Sequence, residues 1–311
     1  MTFYEETNPA DISLNTVKKL LREHFPKISN EEIRFFYHGT YNVFEVKNKF
    51  IFRFPDRVFY GKKGFQLIQR EQEVLDLLRP YLPIEIPKYL YVSSDPENPY
   101  AGYNKVPGQS LSRCFHRTTA HLKKSIAKKV GEILSVLHSP EILHLFETKW
   151  KTDFTPEIYR QYWQDFFVEV QKTLHPLFTS AQIEWVDQLF TDFLEIDENF
   201  HFVPVVTHKD FDISNILVDP DSFEVTGVID FEETNIYDPA ADLLFFDEGQ
   251  LFQNQVLKNY KGIQDSTLKE RMKFLSKRSG LIYMKWGVDH QIPRMVDAGF
   301  EMLEKGMTAN Y

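Results

Sequence analysis

Thr207-His208-Lys209-Asp210-Phe211-Asp212-Ile213-Ser214-Asn215 lies between two apolar runs, Val203-Pro204-Val205-Val206 and Ile216-Leu217-Val218. Two short strands are therefore expected to hold a rigid polar loop. Further on, Val228-Ile229 runs into Asp230-Phe231, which puts a second carboxylate at the end of another strand, and Asp210, Asn215 and Asp230 are expected to converge. Magnesium takes oxygen ligands from carboxylates and amides, and an attacking hydroxyl needs a separate carboxylate to orient it and receive its proton. A lone Asp would mean little, because most cap turns and helices. The combination of His-x-Asp, an Asn five residues after that Asp, and Ile-Asp-Phe after a short hairpin points instead to phosphoryl-transfer chemistry. His208 is expected to brace the loop by hydrogen bonds rather than exchange protons.

Upstream, residues 10–25 space Ile12, Val17, Leu20, Leu21 and Phe25 as one face of a helix. The pattern then changes to short aromatic and β-branched runs, Arg34-Phe35-Phe36-Tyr37, Val43-Phe44-Glu45-Val46 and Phe50-Ile51-Phe52-Arg53-Phe54, which read as a β meander. A helix is predicted over 64–78, and strand-like segments over 89–92 and 100–106. After Pro107-Gly108 long helices dominate, at 122–138, 159–174 and 183–193, with brief strands at 203–206, 216–218 and 225–229 and helices again from about 241 to the end. The fold class is α+β, with a lobe boundary that gives a β-rich segment 1–106 and a mainly helical segment 107–311.

A chain of 311 residues, 42% of them hydrophobic, has ample material for a core. Its formal charge of -9, with Lys and Arg scattered, argues against nucleic acid as a partner, since phosphate backbones demand a basic face. The single cysteine, Cys114, excludes an internal disulfide and fits a reducing compartment. The start, Met1-Thr2-Phe3-Tyr4-Glu5-Glu6, lacks the basic and apolar parts of a secretory signal, and no apolar run approaches a membrane span. A cytoplasmic location is expected, with no membrane and no obligatory protein partner. Among the ten histidines, the pairs His116 with His121 and His138 with His144 lack carboxylates at ligand spacing and do not suggest zinc. Trp286 is expected in the core.

At these residues the chain resembles the aminoglycoside phosphotransferase family, relatives of the protein kinases whose signature is His-x-Asp-x-x-x-x-Asn followed by an Asp-containing magnesium motif. The span from His208 to Asn215 is similar to that catalytic loop, Ile229-Asp230-Phe231 to the metal motif, and Asp238-Pro239-Ala240-Ala241-Asp242 to the Asp-Pro-x-x-Asp segment that follows. The resemblance implies a two-lobed protein-kinase-like fold, Asp210 as catalytic base, Asn215 and Asp230 as Mg2+ ligands, and ATP or GTP held between the lobes as phosphoryl donor. Tyr37-His38-Gly39-Thr40-Tyr41-Asn42 resembles the loop over the nucleotide phosphates, with Gly39 and Asn42 as its binding residues. Arg53 stands where many kinases carry the phosphate-contacting lysine, and Glu71, with Glu73 as rival, resembles its partner. Tyr100-Ala101-Gly102-Tyr103-Asn104-Lys105 looks like the hinge, where backbone groups of Tyr103 to Lys105 would meet the purine, with Ile229 also at the nucleotide.

Glu232 and Glu233 follow Phe231 where the family often has glycine and then aspartate, and no Ala-Pro-Glu segment of the protein-kinase kind follows Asp230. Asp212, Glu233, Asp247 and Glu248 make the surroundings of the loop acidic, as expected for a small cationic acceptor, foremost an aminoglycoside. A macrolide, a choline-like molecule or a sugar is the alternative acceptor, and a nucleotide-binding pseudokinase the alternative function. Asp238 and Asp242 are expected to cap or brace the loop before the next helix.

Overall fold

The computed structural model describes residues 9–309, so the start at 1–6 and the last two residues of the expected C-terminal helix lie outside it. The chain divides into two compact units. One comprises the residues up to Gln109 together with Thr226–Glu232; the other comprises Ser110–Val225 and the residues from Glu233 onward.

The first unit is built on five strands, β1 (Ile33–His38), β2 (Tyr41–Val46), β3 (Phe50–Pro55), β4 (Tyr89–Val92) and β5 (Ala101–Asn104). They pair antiparallel in the order β1-β2-β3-β5-β4. Alternation along β3 decides its role, because successive side chains point to opposite faces. Phe50, Phe52 and Phe54 join the core cluster with Phe44, Val46 and Tyr100, against Val17 and Leu21 of helix α1 (Leu14–Leu21), which leaves Arg53 for the other face. Gly102 sits opposite Phe52 in this register, and a Cβ there would come within 2.4 Å of the Phe52 ring, so only glycine fits.

Helix α1 is shorter than the 10–25 expected. It starts after Ser13, whose hydroxyl accepts the Thr16 N–H as a cap, while the Asp11 N–H before it is bonded to the Asn42 amide oxygen at 2.9 Å. Helix α2 (Lys62–Leu78) buries Gly64, Ile68, Glu71, Val74, Leu75 and Leu78, so a carboxylate interrupts its apolar stripe. Thr226–Val228 is tied to this unit through Glu85: the Val228 N–H donates to the Glu85 carbonyl at 3.0 Å, beside a parallel bridge between Glu85 and Gly227. That bond delivers Asp230.

The second unit is mainly helical: α3 (Ala120–Leu137), α4 (Pro140–Lys149), α5 (Pro156–Thr173), α6 (Ser180–Leu194), α7 (Gln250–Asn259), α8 (Leu268–Lys277), α9 (Ser279–Asp289) and α10 (Pro293–Thr308). Thr119, Ser139, Thr155 and Thr179 cap the first four of these with their hydroxyls. Helix α4 escapes the sequence pattern because only Ile142 and Phe146 mark its buried face. Helices do not resume at 241: a short turn, Pro239–Asp242, is followed by irregular chain to Gly249, whose φ of 89° suits glycine, and α7 begins only there. Strand Val205–Thr207 pairs antiparallel with Asn235–Tyr237, and the polar loop lies between Val205–Thr207 and Ile216–Val218. Trp286 is half-buried, its ring stacked on His290 at 4.0 Å rather than placed in the core. Among the described residues, no helix is long and apolar enough to cross a membrane.

Candidate active site

In the first unit Arg53, only 3% exposed, carries a single guanidinium into a nest of carboxylates. Its Nη1 donates to both oxygens of Glu71, at 2.7 and 2.8 Å, and its Nη2 donates to Asp230 at 2.7 Å and to Glu232 at 3.3 Å. Glu71 is thus the partner, while Glu73 lies on the exposed side of α2. Glu71 also accepts the Phe231 N–H at 3.2 Å, which orients the turn that follows Asp230. Burial works against the Arg53 charge, but Glu71 and Asp230 more than offset it and hold its pKa well above the usual value.

Tyrosines wall this cluster. The Arg53 guanidinium lies 3.9 Å over the Tyr41 ring, Tyr89 donates its hydroxyl to Glu71, and Tyr103 stacks on Tyr89 at 5.8 Å. Burial pushes the Tyr37, Tyr41 and Tyr89 hydroxyls far up, so all three stay neutral. Three carboxylates against one guanidinium leave an excess of negative charge, which suits a divalent cation. Asp230 adopts φ 71°, a left-handed backbone costly for a side chain, as is common at ligand sites.

In the second unit the polar loop is held from beneath. Asp242, fully buried, accepts the N–H of His208 and of Lys209, both at 2.7 Å, and faces His138 Nε2 at 3.0 Å. A carboxylate only accepts, so Nε2 carries hydrogen and His138 Nδ1 faces the Tyr260 hydroxyl at 2.8 Å. These bonds hold Lys209 at φ 70°, and Asp210 is thereby presented on the exposed side. Asn215 Nδ2 donates to both the backbone carbonyl and the carboxylate of Asp210, each at 2.9 Å. Both partners are acceptors, which fixes the amide nitrogen toward Asp210 and turns its oxygen away as a possible metal ligand. The bracing expected of His208 runs through its backbone N–H, with its ring edge-on to Phe211 at 5.5 Å.

Asp238 is buried as well, held by Arg271 Nε at 2.9 Å, the Tyr159 hydroxyl at 3.2 Å and the Ala240 N–H at 2.9 Å. The acidic residues divide. Asp212 caps its own turn by accepting the Ser214 N–H at 2.6 Å, Glu233 pairs with Lys209 at 3.4 Å, and Asp247 pairs with Lys305. Glu248 is pushed up to about 7, chiefly by burial, with Asp247 and Asp212 adding to it. In the first unit, Gly39 makes the turn between β1 and β2, and Asn42 is buried with its amide bonded to Asp11. Lys105 donates its side chain to Glu45 at 2.6 Å and its N–H to the Lys49 carbonyl at 2.8 Å, and Ile229 is half-buried beside Asp230.

A model of the phosphotransferase enzyme family matches residues 32–251, which include both clusters. This chain belongs to that family. It is an enzyme, a small-molecule kinase. No curated protein matches its sequence. Among solved structures, the GDP and kanamycin complex of APH(2")-IIia is similar at 22% identity and TM-score 0.83, covering 96% of this chain and 100% of that one. The streptomycin-ATP ternary complex of APH(2")-IIa is similar at 18% identity and TM-score 0.68, covering 95% and 97%. The apoenzyme of macrolide 2'-phosphotransferase MphH from Brachybacterium faecium is similar at 17% identity and TM-score 0.71, covering 96% and 99%. At such identities the likeness is one of fold: the two-lobed protein-kinase-like fold of the α+β class, β-rich in its N-terminal lobe and mainly helical in its C-terminal lobe.

Two features of the kinase's clusters went unread in its sequence. Tyr37 and Tyr41 read only as part of the loop over the phosphates and Tyr103 only through its backbone at the purine, so the rings of Tyr41, Tyr89 and Tyr103 around Arg53 were not foreseen, with alternation onto the Arg53 face as the one hint. The contact of Glu232 with Arg53 joins residues 179 positions apart and left no local signal.

Proposed function

We propose that this kinase moves the γ-phosphoryl group of ATP or GTP to a hydroxyl of a small cationic acceptor, foremost an aminoglycoside. The observation that carries the reading is Asp210, exposed on a loop fastened through Asp242 and with its carboxylate oriented by Asn215. Asp210 would accept the proton of the attacking hydroxyl as its oxygen bonds to the γ-phosphorus and the bond to the departing nucleoside diphosphate breaks. Positioning and charge stabilisation do most of the work in such transfers, so a rigid carboxylate matters more than a basic one.

The oxygens offered to magnesium are those of Asp230 in the first unit and of Asn215 in the second; the ion, when bound, would neutralise charge on the phosphates. Arg53, held by Glu71, would add a fixed positive charge for the same phosphates. Gly39 and Asn42 belong to the hairpin proposed to cover them, Asn42 by fastening that hairpin to Asp11. Tyr103, Lys105 and Ile229 are proposed at the purine. Solved relatives carry GDP with kanamycin and ATP with streptomycin, whereas another is a macrolide phosphotransferase. An amine acceptor is favoured here by Asp212, Glu233, Asp247 and Glu248, since carboxylates recognise ammonium groups.

The test is a phosphoryl-transfer assay with ATP and with GTP, in magnesium, over a panel of aminoglycosides, macrolides, choline and sugars. Product with an aminoglycoside supports the proposal. Product only with a macrolide, choline or sugar would reassign the acceptor, and nucleotide binding without any product would make the chain a pseudokinase.

Glu248 sharpens the acceptor side. A bound ammonium favours its carboxylate form, so below about 7 binding must also remove a proton. For an acceptor whose amines stay charged, Kd is expected to tighten by up to about tenfold per unit as pH rises toward about 7 and to level off above it. Calorimetric titration at several pH values measures this, and the dependence should vanish in Glu248→Gln. A flat profile in the unaltered enzyme would remove Glu248 from the acceptor site.

A further inference from the structure

Away from the Arg53 cluster, three ligand-bearing side chains of the first unit meet: Asp11, His38 and Asp56, with one donor atom from each lying within 4.8 Å of the others. His38 ends β1 and its side chain is 5% exposed; those of Asp56 and Asp11 are 14% and 23% exposed. His38 Nδ1 lies 2.6 Å from the Pro9 carbonyl oxygen. A carbonyl and a carboxylate can only accept, so without an ion both ring nitrogens carry hydrogen, and a bound ion would take the place of the Nε2 proton. Nε2 faces Asp56 Oδ2 at 2.8 Å and Asp11 Oδ2 at 3.8 Å.

An imidazole that gives one N–H to a backbone carbonyl and aims the other nitrogen at carboxylates has the arrangement of a metal-bound histidine with its outer partner in place. Ligand atoms about 3.3 Å apart are what a tetrahedral ion with bonds of about 2 Å requires, and the two separations here straddle that value. The carboxylates are held in position as well. Asp56 Oδ1 accepts the Val58 N–H at 2.7 Å, Asp11 Oδ2 accepts the Arg57 N–H at 3.0 Å, and Asp11 Oδ1 accepts from the Asn42 amide. Among the described residues, neither carboxylate is paired with a lysine or arginine side chain, so two negative charges gather around one imidazole.

We propose that Asp11, His38 and Asp56 form a binding site for a divalent transition ion, zinc foremost, with water completing the coordination. One nitrogen and two oxygens suit a borderline ion, whereas calcium and magnesium prefer oxygen alone. The ion would clasp residues 9–11 to the turn between β1 and β2 and to the end of β3. This site is separate from the phosphoryl-transfer reading and stands or falls without it.

The full-length chain, stripped with chelator, is titrated calorimetrically with zinc, and cobalt is added in parallel for its visible spectrum. We expect one equivalent bound with an affinity of micromolar or tighter, a rise in Tm with zinc, and a tetrahedral cobalt absorption. His38→Gln and the partly exposed Asp11→Asn should each abolish that equivalent. Asp230→Asn should leave it, which separates the site from any ion held at the Arg53 cluster. If His38→Gln fails to fold, Asp11→Asn alone decides. No stoichiometric binding, or binding that Asp11→Asn leaves intact, would overturn the proposal and leave His38 as a proton-carrying partner of Asp56.

Discussion

Asp210→Ala is expected to lower kcat by about two to four orders of magnitude, the range that a positioned general base contributes. Tm and nucleotide affinity should change little. The reason is visible in the loop. Asp210 is exposed, and Asn215 keeps its 2.9 Å bond to the backbone carbonyl of residue 210 after the carboxylate is gone. The Asn215 amide keeps one of its two bonds to residue 210, so the stability cost should stay below about 1 kcal/mol. Asp210→Asn separates shape from chemistry, because it keeps the volume but cannot take a proton, and it should be nearly as slow as the alanine variant. Single-turnover rates at saturating nucleotide and acceptor measure the effect on transfer itself. A rate within a few-fold of the unaltered enzyme in both variants would rule Asp210 out as the base, and an equal fall in nucleotide affinity would recast it as a binding residue.

Asp210, Asn215 and Asp230 could be singled out from sequence because each sits at short, fixed spacing beside an apolar strand, whereas the pairing of Arg53 with Glu71 was implied only by the family resemblance. Local order of that kind leaves a local pattern. The strands of the first unit were legible for the same reason, since β2 and β3 are apolar enough to be buried along their whole length. What stayed hidden depends on contacts between distant residues. Helix α1 begins only after the Ser13 cap, and the segment before it is held through Asp11 to Asn42, 31 residues away, a contact that no periodicity within 10–25 records. Glu232 looked like a departure from a glycine position, yet it lies within reach of the Arg53 guanidinium at 3.3 Å. The clustering of His38 with Asp11 and Asp56 needs three separate segments to meet, so a search for closely spaced histidines passes over it.

Asp242 was expected to cap or brace the loop before the next helix, but it fastens the polar loop more than thirty residues earlier, at His208 and Lys209. Its carboxylate satisfies two backbone N–H groups and a histidine in a place without solvent, and a buried donor left unpaired costs about 1 to 3 kcal/mol. Lys209, at φ 70°, depends on one of those bonds to stay in a backbone region that costs a non-glycine residue on the order of 1 kcal/mol. Asp242→Ala is therefore expected to destabilise the protein by about 3 to 5 kcal/mol and to lower Tm by roughly 10 °C, read by denaturant unfolding and calorimetry. Asp242→Asn keeps one accepting oxygen and should lose less. Activity should fall as well, because a loop freed from Asp242 no longer fixes Asp210, and a misplacement of about 1 Å can cost a hundredfold in rate. That loss acts only through Asp210, so Asp242→Ala should slow the unaltered enzyme strongly and the Asp210→Ala enzyme hardly at all, a coupling that a double-mutant cycle reads directly. Additive rate losses would mean that Asp242 supports transfer by another route. A stability loss under about 1 kcal/mol would mean that water replaces the carboxylate and that the loop holds its shape without it.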